Sequence, residues 1–223
     1  ITEKNWTRKI LGNEIINKYP HKCFSLSWYD LPCFRHHGIY INSIKSIWNL
    51  GRVRTGAYAL RHENEINSYI ESHRISDQQY AGKKYFLSFI GRDSHKIRSD
   101  IFNLAFNRTD VFIEDSSGFD LWSKVIEGRL ERQKYFYNML LSSKFSLCPR
   151  GYGTNSIRLY ESMQLGVAPV IISDDWIFPK GPRWSEFSIV VKEKNIRDLE
   201  KIVQYHENNY EEMGRLARKA FEE

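Results

Sequence analysis

From Lys84 to the C-terminus, short apolar runs alternate with longer stretches of helical period, and this alternation limits the possible folds more than any other feature. Residues 84–90 (KYFLSFI), closed by Gly91, read as a buried strand, as do 110–114 (DVFIE), 144–148 (KFSLC), 167–172 and 188–191. Asp93 or Ser94 is positioned to cap a helix through about Phe106, with Ile97, Ile101, Leu104 and Ala105 on one face. Further helices are predicted over about 129–142 and 155–165, with two more starting at Asn195 and about Asn209. Strands separated by helices of this length form βαβ units and a parallel sheet. One complete Rossmann-like α/β domain is therefore expected over residues 82–223.

Residues 1–81 carry fewer signals. CFSLS (23–27) and GIYI (38–41) read as short strands and 63–72 as a helix, too few for a second doubly wound domain. The expectation is a partial N-terminal α/β region, on a chain that either lacks its beginning, as Ile1 hints, or has a reduced half there. With 41% hydrophobic and 27% charged residues over 223 positions, the composition excludes disordered and collagen-like chains. No apolar run reaches the roughly 18 residues of a membrane span. The net charge of +6 favours an anionic partner. The excess lies mostly in residues 1–80, which hold 11 Lys+Arg against 7 Asp+Glu. Cys23, Cys33 and Cys148 form no CxxC pair and no Cys/His metal spacing, so neither a disulfide framework nor a zinc site is expected.

The chemistry concentrates in CPRGYGTNSIRLYE (148–161), where a strand end feeds through a glycine-bearing turn into a helix N-terminus. In open parallel sheets ligands bind beyond the carboxyl ends of the strands, at such turns. Gly151 and Gly153 let the backbone approach a phosphate, and Arg150, Thr154, Asn155 and Ser156 add donors in the same place. Arg158 and Glu161, three apart, share a helix face. No Walker GxxxxGK[ST] occurs, so a P-loop NTPase is not expected.

The continuation SIRLYESMQLGVAPVIISDDWIFPKGPRWSEFSIVV, taken with CPRG, resembles the exostosin family of glycosyltransferases, specifically bacterial members. The likeness is dense over residues 135–191 and runs more loosely upstream through KYFLSFIGR and Arg98. MGRLARKAFEE resembles the family's closing helix, and HKCFSLSWYDLP and GIY carry a thinner likeness in the first half.

That resemblance implies a GT-B architecture, in which 82–223 holds a nucleotide-sugar donor and the N-terminal side receives the acceptor. It implies that Arg158 meets the donor diphosphate and Glu161 the ribose hydroxyls, with Gly91, Arg92 and Arg98 as further diphosphate candidates. Tyr135 and Tyr137 are candidates for stacking on uracil, and the loop from Asp174-Asp175-Trp176 to Trp184 for closing over the sugar. Cys148 reads as packing at a strand end.

No Asp-x-Asp occurs, so no divalent metal or other cofactor is expected and arginine is expected to carry the charge stabilisation. The family is typically inverting, which requires a base from the N-terminal side. Asp30, His36 and His37 in WYDLPCFRHHG are the candidates. The expected partners are a UDP-sugar and a glycan or glycolipid, with the basic segment suited to an anionic membrane surface. The bacterial look of CPRGYG and GPRW implies a cytoplasmic location at the inner face of the membrane; a eukaryotic relative implies the Golgi lumen. The rival readings are a non-catalytic nucleotide- or glycan-binding module and a nucleic-acid binder. The second has no RNP-like aromatic strand and no Lys/Arg run to support it.

Overall fold

The computed structural model describes residues 13–27, 37–45, 53–60, 62, 64–73, 82–118 and 126–223. In chain order the elements are α1 (Glu14–Lys18), β1 (Phe24–Ser27), β2 (His37–Tyr40), β3 (Val53–Thr55), α2 (Asn64–Ser72) and β4 (Tyr85–Gly91). They continue with α3 (Lys96–Phe102), β5 (Val111–Asp115), α4 (Ile126–Leu141), β6 (Ser143–Pro149), α5 (Ile157–Gln164) and β7 (Ala168–Ile172). The last are α6 (Trp184–Phe187), β8 (Ile189–Val190), α7 (Leu199–Gln204) and α8 (Tyr210–Glu222).

β4 to β8 form one five-stranded sheet in the order β5-β4-β6-β7-β8, every neighbour parallel. This is the 2-1-3-4-5 order of a doubly wound α/β fold. The central strands β4, β6 and β7 are buried along nearly their whole length because helices cover both faces. Phe86, Leu87, Phe145, Leu147, Val170 and Ile172 are all buried, each side chain contributing about 1.5–3 kcal/mol. α5 ends on Gly166 at φ 68, where Gly166 N–H donates to Met163 O and Val167 N–H to Ser162 O. This left-handed cap turns the chain straight into β7.

A second, smaller unit contains β1, β2 and β3, a three-stranded parallel sheet of three- and four-residue strands. Tyr152–Asn155 and Asp175–Gly181 cluster with it, while Ala59–Gly151, Ser156–Asp174 and Pro182–Glu223 make the larger unit. Within the smaller unit Ile44 bridges Trp176 antiparallel, and the buried Trp176 donates from Nε1 to Ile41 O at 3.3 Å.

The compact units therefore divide the chain elsewhere than at residue 82. α2 goes with the larger unit because Ile66 and Ile70 are buried against Tyr137, Leu140, Leu165 and Val167. Two local expectations also shift. α3 is capped by His95, whose Nδ1 accepts from Ile97 N–H at 3.2 Å, and it stops at Phe102 rather than Phe106. Asp93 is taken instead by the Ser99 hydroxyl at 2.7 Å. Leu104 and Phe106 still pack on the sheet, so the apolar pattern outlasts the helix. Among the described residues no helix is long and apolar enough to cross a membrane.

Candidate functional site

The order of strands reverses between β4 and β6, and a ligand crevice belongs beyond their carboxyl ends. There β4 delivers Gly91 and Arg92, and β6 delivers Pro149, Arg150 and Gly151. Arg98, from α3, joins the two turns. Its guanidinium donates to Arg150 O at 2.9 Å, Pro149 O at 3.1 Å and Arg92 O at 3.1 Å. These bonds engage all three guanidinium nitrogens, so Arg98 shapes the two turns that were expected to line a diphosphate. A Cβ on Gly151 would stand 3.2 Å from Ser94 Oγ and 3.3 Å from an Arg98 nitrogen, so the chain passes close over this staple.

Arg158 rises from the first turn of α5 into the same end of the sheet. Its guanidinium carbon lies 5.2 Å from the centroid of Phe89 and 4.9 Å from that of Phe136. Its Nη1 lies 3.3 Å from where a Cβ on Gly91 would sit. Aromatic faces attract a guanidinium but accept no hydrogen bond of ordinary strength. Arg158 Nε is accordingly buried without a hydrogen-bond partner, and so is Arg150 Nε. Burial pulls the Arg158 guanidinium below its ordinary value, and the charge of Glu161 opposes that pull.

One turn on, burial pushes the Glu161 carboxyl above the usual carboxylate range, opposed by Arg158 and by a hydrogen bond with Tyr137. Tyr137 is 2% exposed, with its ring edge-on to His62 and Phe136, so it leaves no face open for a base to stack on. Its hydroxyl lies 3.3 Å from His62 Nδ1, and His62 Nε2 lies 3.1 Å from Gln164 Oε1. Nothing in the sequence singles out His62; its neighbour Tyr137 is 75 positions away. Tyr135 is half-buried, donates to Glu114 Oε2 at 2.7 Å and lies under the Arg132 guanidinium at 4.8 Å. Arg132 also pairs with the other oxygen of Glu114.

The remaining candidates divide. Gly153 and Thr154 belong to the smaller unit, where Asn42 organises the turn. Asn42 Oδ1 accepts from Asn155 N–H at 2.8 Å, Asn155 Nδ2 donates to Ile41 O at 3.3 Å, and the Thr154 hydroxyl donates to Ser43 O at 3.2 Å. The Thr154 hydroxyl and the Asn155 amide, expected as ligand donors, are thus engaged by backbone. Ser156 is buried at the N-cap of α5 in extended conformation, and its side chain makes no cap bond. Cys148 is buried beside Ser162, and burial pushes its thiol up to about 11, as suits packing.

Asp174 and Glu193 exchange backbone-to-carboxylate bonds at 3.1 and 3.2 Å, while Asp175 accepts from Lys45 N–H at 3.1 Å. Among the described residues no three His, Cys, Asp or Glu side chains gather as metal ligands. Of the base candidates, His37 is exposed at the head of β2, whereas Asp30 and His36 lie outside the described residues.

The Exostosin GT47 domain matches residues 53–206, more than half of the chain. The chain belongs to the exostosin GT47 family. The match runs from β3 to just beyond α7, so it covers the whole five-stranded sheet with Arg158 and Glu161. Exostosin-1 of Drosophila melanogaster is 31% identical over 137 residues, 56% of this chain and 18% of that protein. An Exostosin-1 homolog of Caenorhabditis elegans is 31% identical over 159 residues, 65% of this chain and 42% of that protein. A probable glucuronosyltransferase of Oryza sativa subsp. japonica is 33% identical over 129 residues, 51% of this chain and 30% of that protein. This exostosin GT47 chain thus spans less than half the length of each of these relatives.

Proposed function

We propose that the larger unit binds a nucleotide-sugar donor, most simply UDP-linked, and that the chain serves an inverting, GT-B-type transfer of the sugar to a glycan or glycolipid. The observation that carries this reading is the buried, unpartnered Nε of Arg158, joined by that of Arg150, at the carboxyl ends of the two switch-point strands. Buried donors almost always have partners, so two together call for an acceptor that arrives with a ligand. A diphosphate has the required charge and geometry. During transfer, negative charge grows on the leaving nucleoside diphosphate. A guanidinium already desolvated between Phe89 and Phe136 stabilises that charge more than it stabilises the ground state.

Glu161 then takes the ribose hydroxyls, and a base from the N-terminal side accepts the proton of the attacking hydroxyl. The sequence has no Asp-x-Asp pair, so the proposal assigns the diphosphate's charge to arginine and to the N-terminus of α5 rather than to a metal. The name of the rice relative directs attention to UDP-glucuronic acid as a donor, and that of a probable beta-1,4-xylosyltransferase of Arabidopsis thaliana, 36% identical over 70 residues, to UDP-xylose; the basic N-terminal segment suits an acceptor held near an anionic surface.

Titration calorimetry with UDP, UDP-glucuronic acid and UDP-xylose tests the reading. Saturable binding is expected, weakened at least tenfold by Arg158→Ala, as follows when a charge-assisted bond is lost. No binding at about 1 mM, or unchanged affinity in the variant, overturns the donor-site assignment. Slow release of UDP from the bound donor without acceptor is the expected sign of catalysis. Binding with no release reduces the chain to a nucleotide-binding module.

A further inference from the structure

Two arginines stand at the switch point of the larger unit, and they are held in opposite ways. Arg98 is bonded to three carbonyls. Among the described residues none accepts a hydrogen bond from the Arg158 guanidinium, whose Nε is buried without a partner. What holds Arg158 is carbon surface. Its guanidinium carbon lies 4.9 Å from the centre of the Phe136 ring on α4 and 5.2 Å from that of Phe89 on β4. Phe89 is 1% exposed, and its ring also meets Phe102 at 5.4 Å and the Arg98 guanidinium at 5.6 Å, so it has no room to swing aside. Phe136 is half-buried and packs against Tyr137, with ring centres 5.2 Å apart.

The third surface is the bare backbone of Gly91 at the end of β4. A Cβ there would stand 2.7 Å from Phe89 Cζ and 3.3 Å from Arg158 Nη1. With Phe89 fixed by its other neighbours, any side chain at residue 91 spoils the contact between ring and guanidinium. An aromatic face attracts a guanidinium and leaves its N–H groups, which lie in the guanidinium plane, open to other acceptors. A carboxylate in the same place would fix the arginine and occupy those donors. The aromatic cradle fixes it and occupies none.

We propose that Phe136 and Gly91 are positioning residues for Arg158: the Phe136 face and the missing side chain of Gly91 hold the guanidinium in one pose against Phe89, with its N–H groups unused and ready for the oxygens of a phosphate. The inference rests on the donor-binding reading of Arg158 above. It explains glycine at residue 91 by the arginine rather than by the diphosphate itself. A side chain held beforehand gives up less rotamer freedom when its ligand arrives, which for one arginine is worth about three- to tenfold in affinity.

The test is a double-mutant cycle read by titration calorimetry of UDP on the full chain, with the Tm of each variant measured alongside. Phe136→Leu keeps an apolar side chain but no aromatic face. It should weaken UDP about three- to tenfold, whereas Phe136→Tyr, which keeps the face, should stay within about twofold of the wild type. Gly91→Ala should weaken UDP to a similar extent as Phe136→Leu. In an Arg158→Ala background Phe136→Leu should cause no further loss, because the side chain it positions is gone. A residue that merely supports the fold would weaken UDP alike in both backgrounds.

An equal loss in both backgrounds, unchanged affinity in Phe136→Leu, or a Phe136→Tyr as weak as Phe136→Leu overturns the positioning role of Phe136. The donor reading still stands in each case if Arg158→Ala weakens UDP. If Arg158→Ala changes nothing, the donor reading fails and this inference falls with it. Unchanged affinity in Gly91→Ala removes Gly91 from the role. Should Gly91→Ala fail to fold, the Phe136 cycle decides alone.

Discussion

A methyl group added at Gly153 would place its carbon 2.3 Å from Asn42 Oδ1 and 2.8 Å from Asn42 Nδ2, so the side chain that organises this turn has to give way. Asn42 is buried and already accepts from Asn155 N–H, so moving it costs a hydrogen bond as well as packing. Gly153→Ala is expected to lower stability by about 1–3 kcal/mol in urea unfolding. Asn42→Ala, which strands the Asn155 N–H, should cost about the same. The two losses should be strongly non-additive, because removing the Asn42 side chain also removes the clash. Strict additivity in the double variant would show that the contact does not limit the turn. The need for glycine here was visible in the sequence, although its expected reason was a phosphate. The neighbour that requires it is 113 positions from Asn155, and no local pattern points that far.

Helix α3 shows how an element's end depends on tertiary neighbours. The apolar spacing of Ile97 and Ile101 identified the helix, but Asp93 and Ser94, the expected caps, gave way to His95. A histidine caps only while Nδ1 keeps its lone pair. Burial, followed by the charge of Arg150, lowers its pKa, while Glu193 and Asp100 pull the other way. A histidine lowered in the folded state protonates first in the unfolded chain. Stability is therefore lost as pH falls below the ordinary value of about 6.5 toward the folded one. His95→Asn keeps an N-cap acceptor without that titration. The drop in Tm between about pH 7.5 and 5 should be smaller in His95→Asn than in the wild type. An equal drop in both would place the acid sensitivity elsewhere.

At the scale of the molecule, the amino ends of the strands are tied by charge. Arg108 pairs with Asp110 at 2.6 Å and Glu207 at 2.7 Å, and Lys144 reaches Glu207 at 2.6 Å. This joins the starts of β5 and β6 to the segment between α7 and α8. Burial works against the Glu207 carboxylate, but Arg108 and Lys144 outweigh it and hold the carboxyl below its usual range. A carboxyl lowered in this way stabilises the fold above its unfolded pKa and loses that contribution as pH falls through the folded value. Glu207→Gln should cost about 1 kcal/mol near neutral pH, a fall in Tm of roughly 2–4 °C for a chain of this size. The gap from the wild type should narrow below about pH 4, and UDP affinity should not change. A change in UDP affinity would show that the two ends of the sheet are coupled. The sequence by itself determined the alternation, the parallel five-stranded sheet and the family, because periodicity, strand ends and the CPRG-to-GPRW spacings are local. It also determined that Arg158 and Glu161 share a helix face. Only the tertiary structure decided that Arg98 binds three carbonyls, that Tyr137 is enclosed, that His62 stands between Tyr137 and Gln164 and that α2 packs with the larger unit. Each of these depends on which groups satisfy buried donors across tens of residues, and chain spacing carries no record of that.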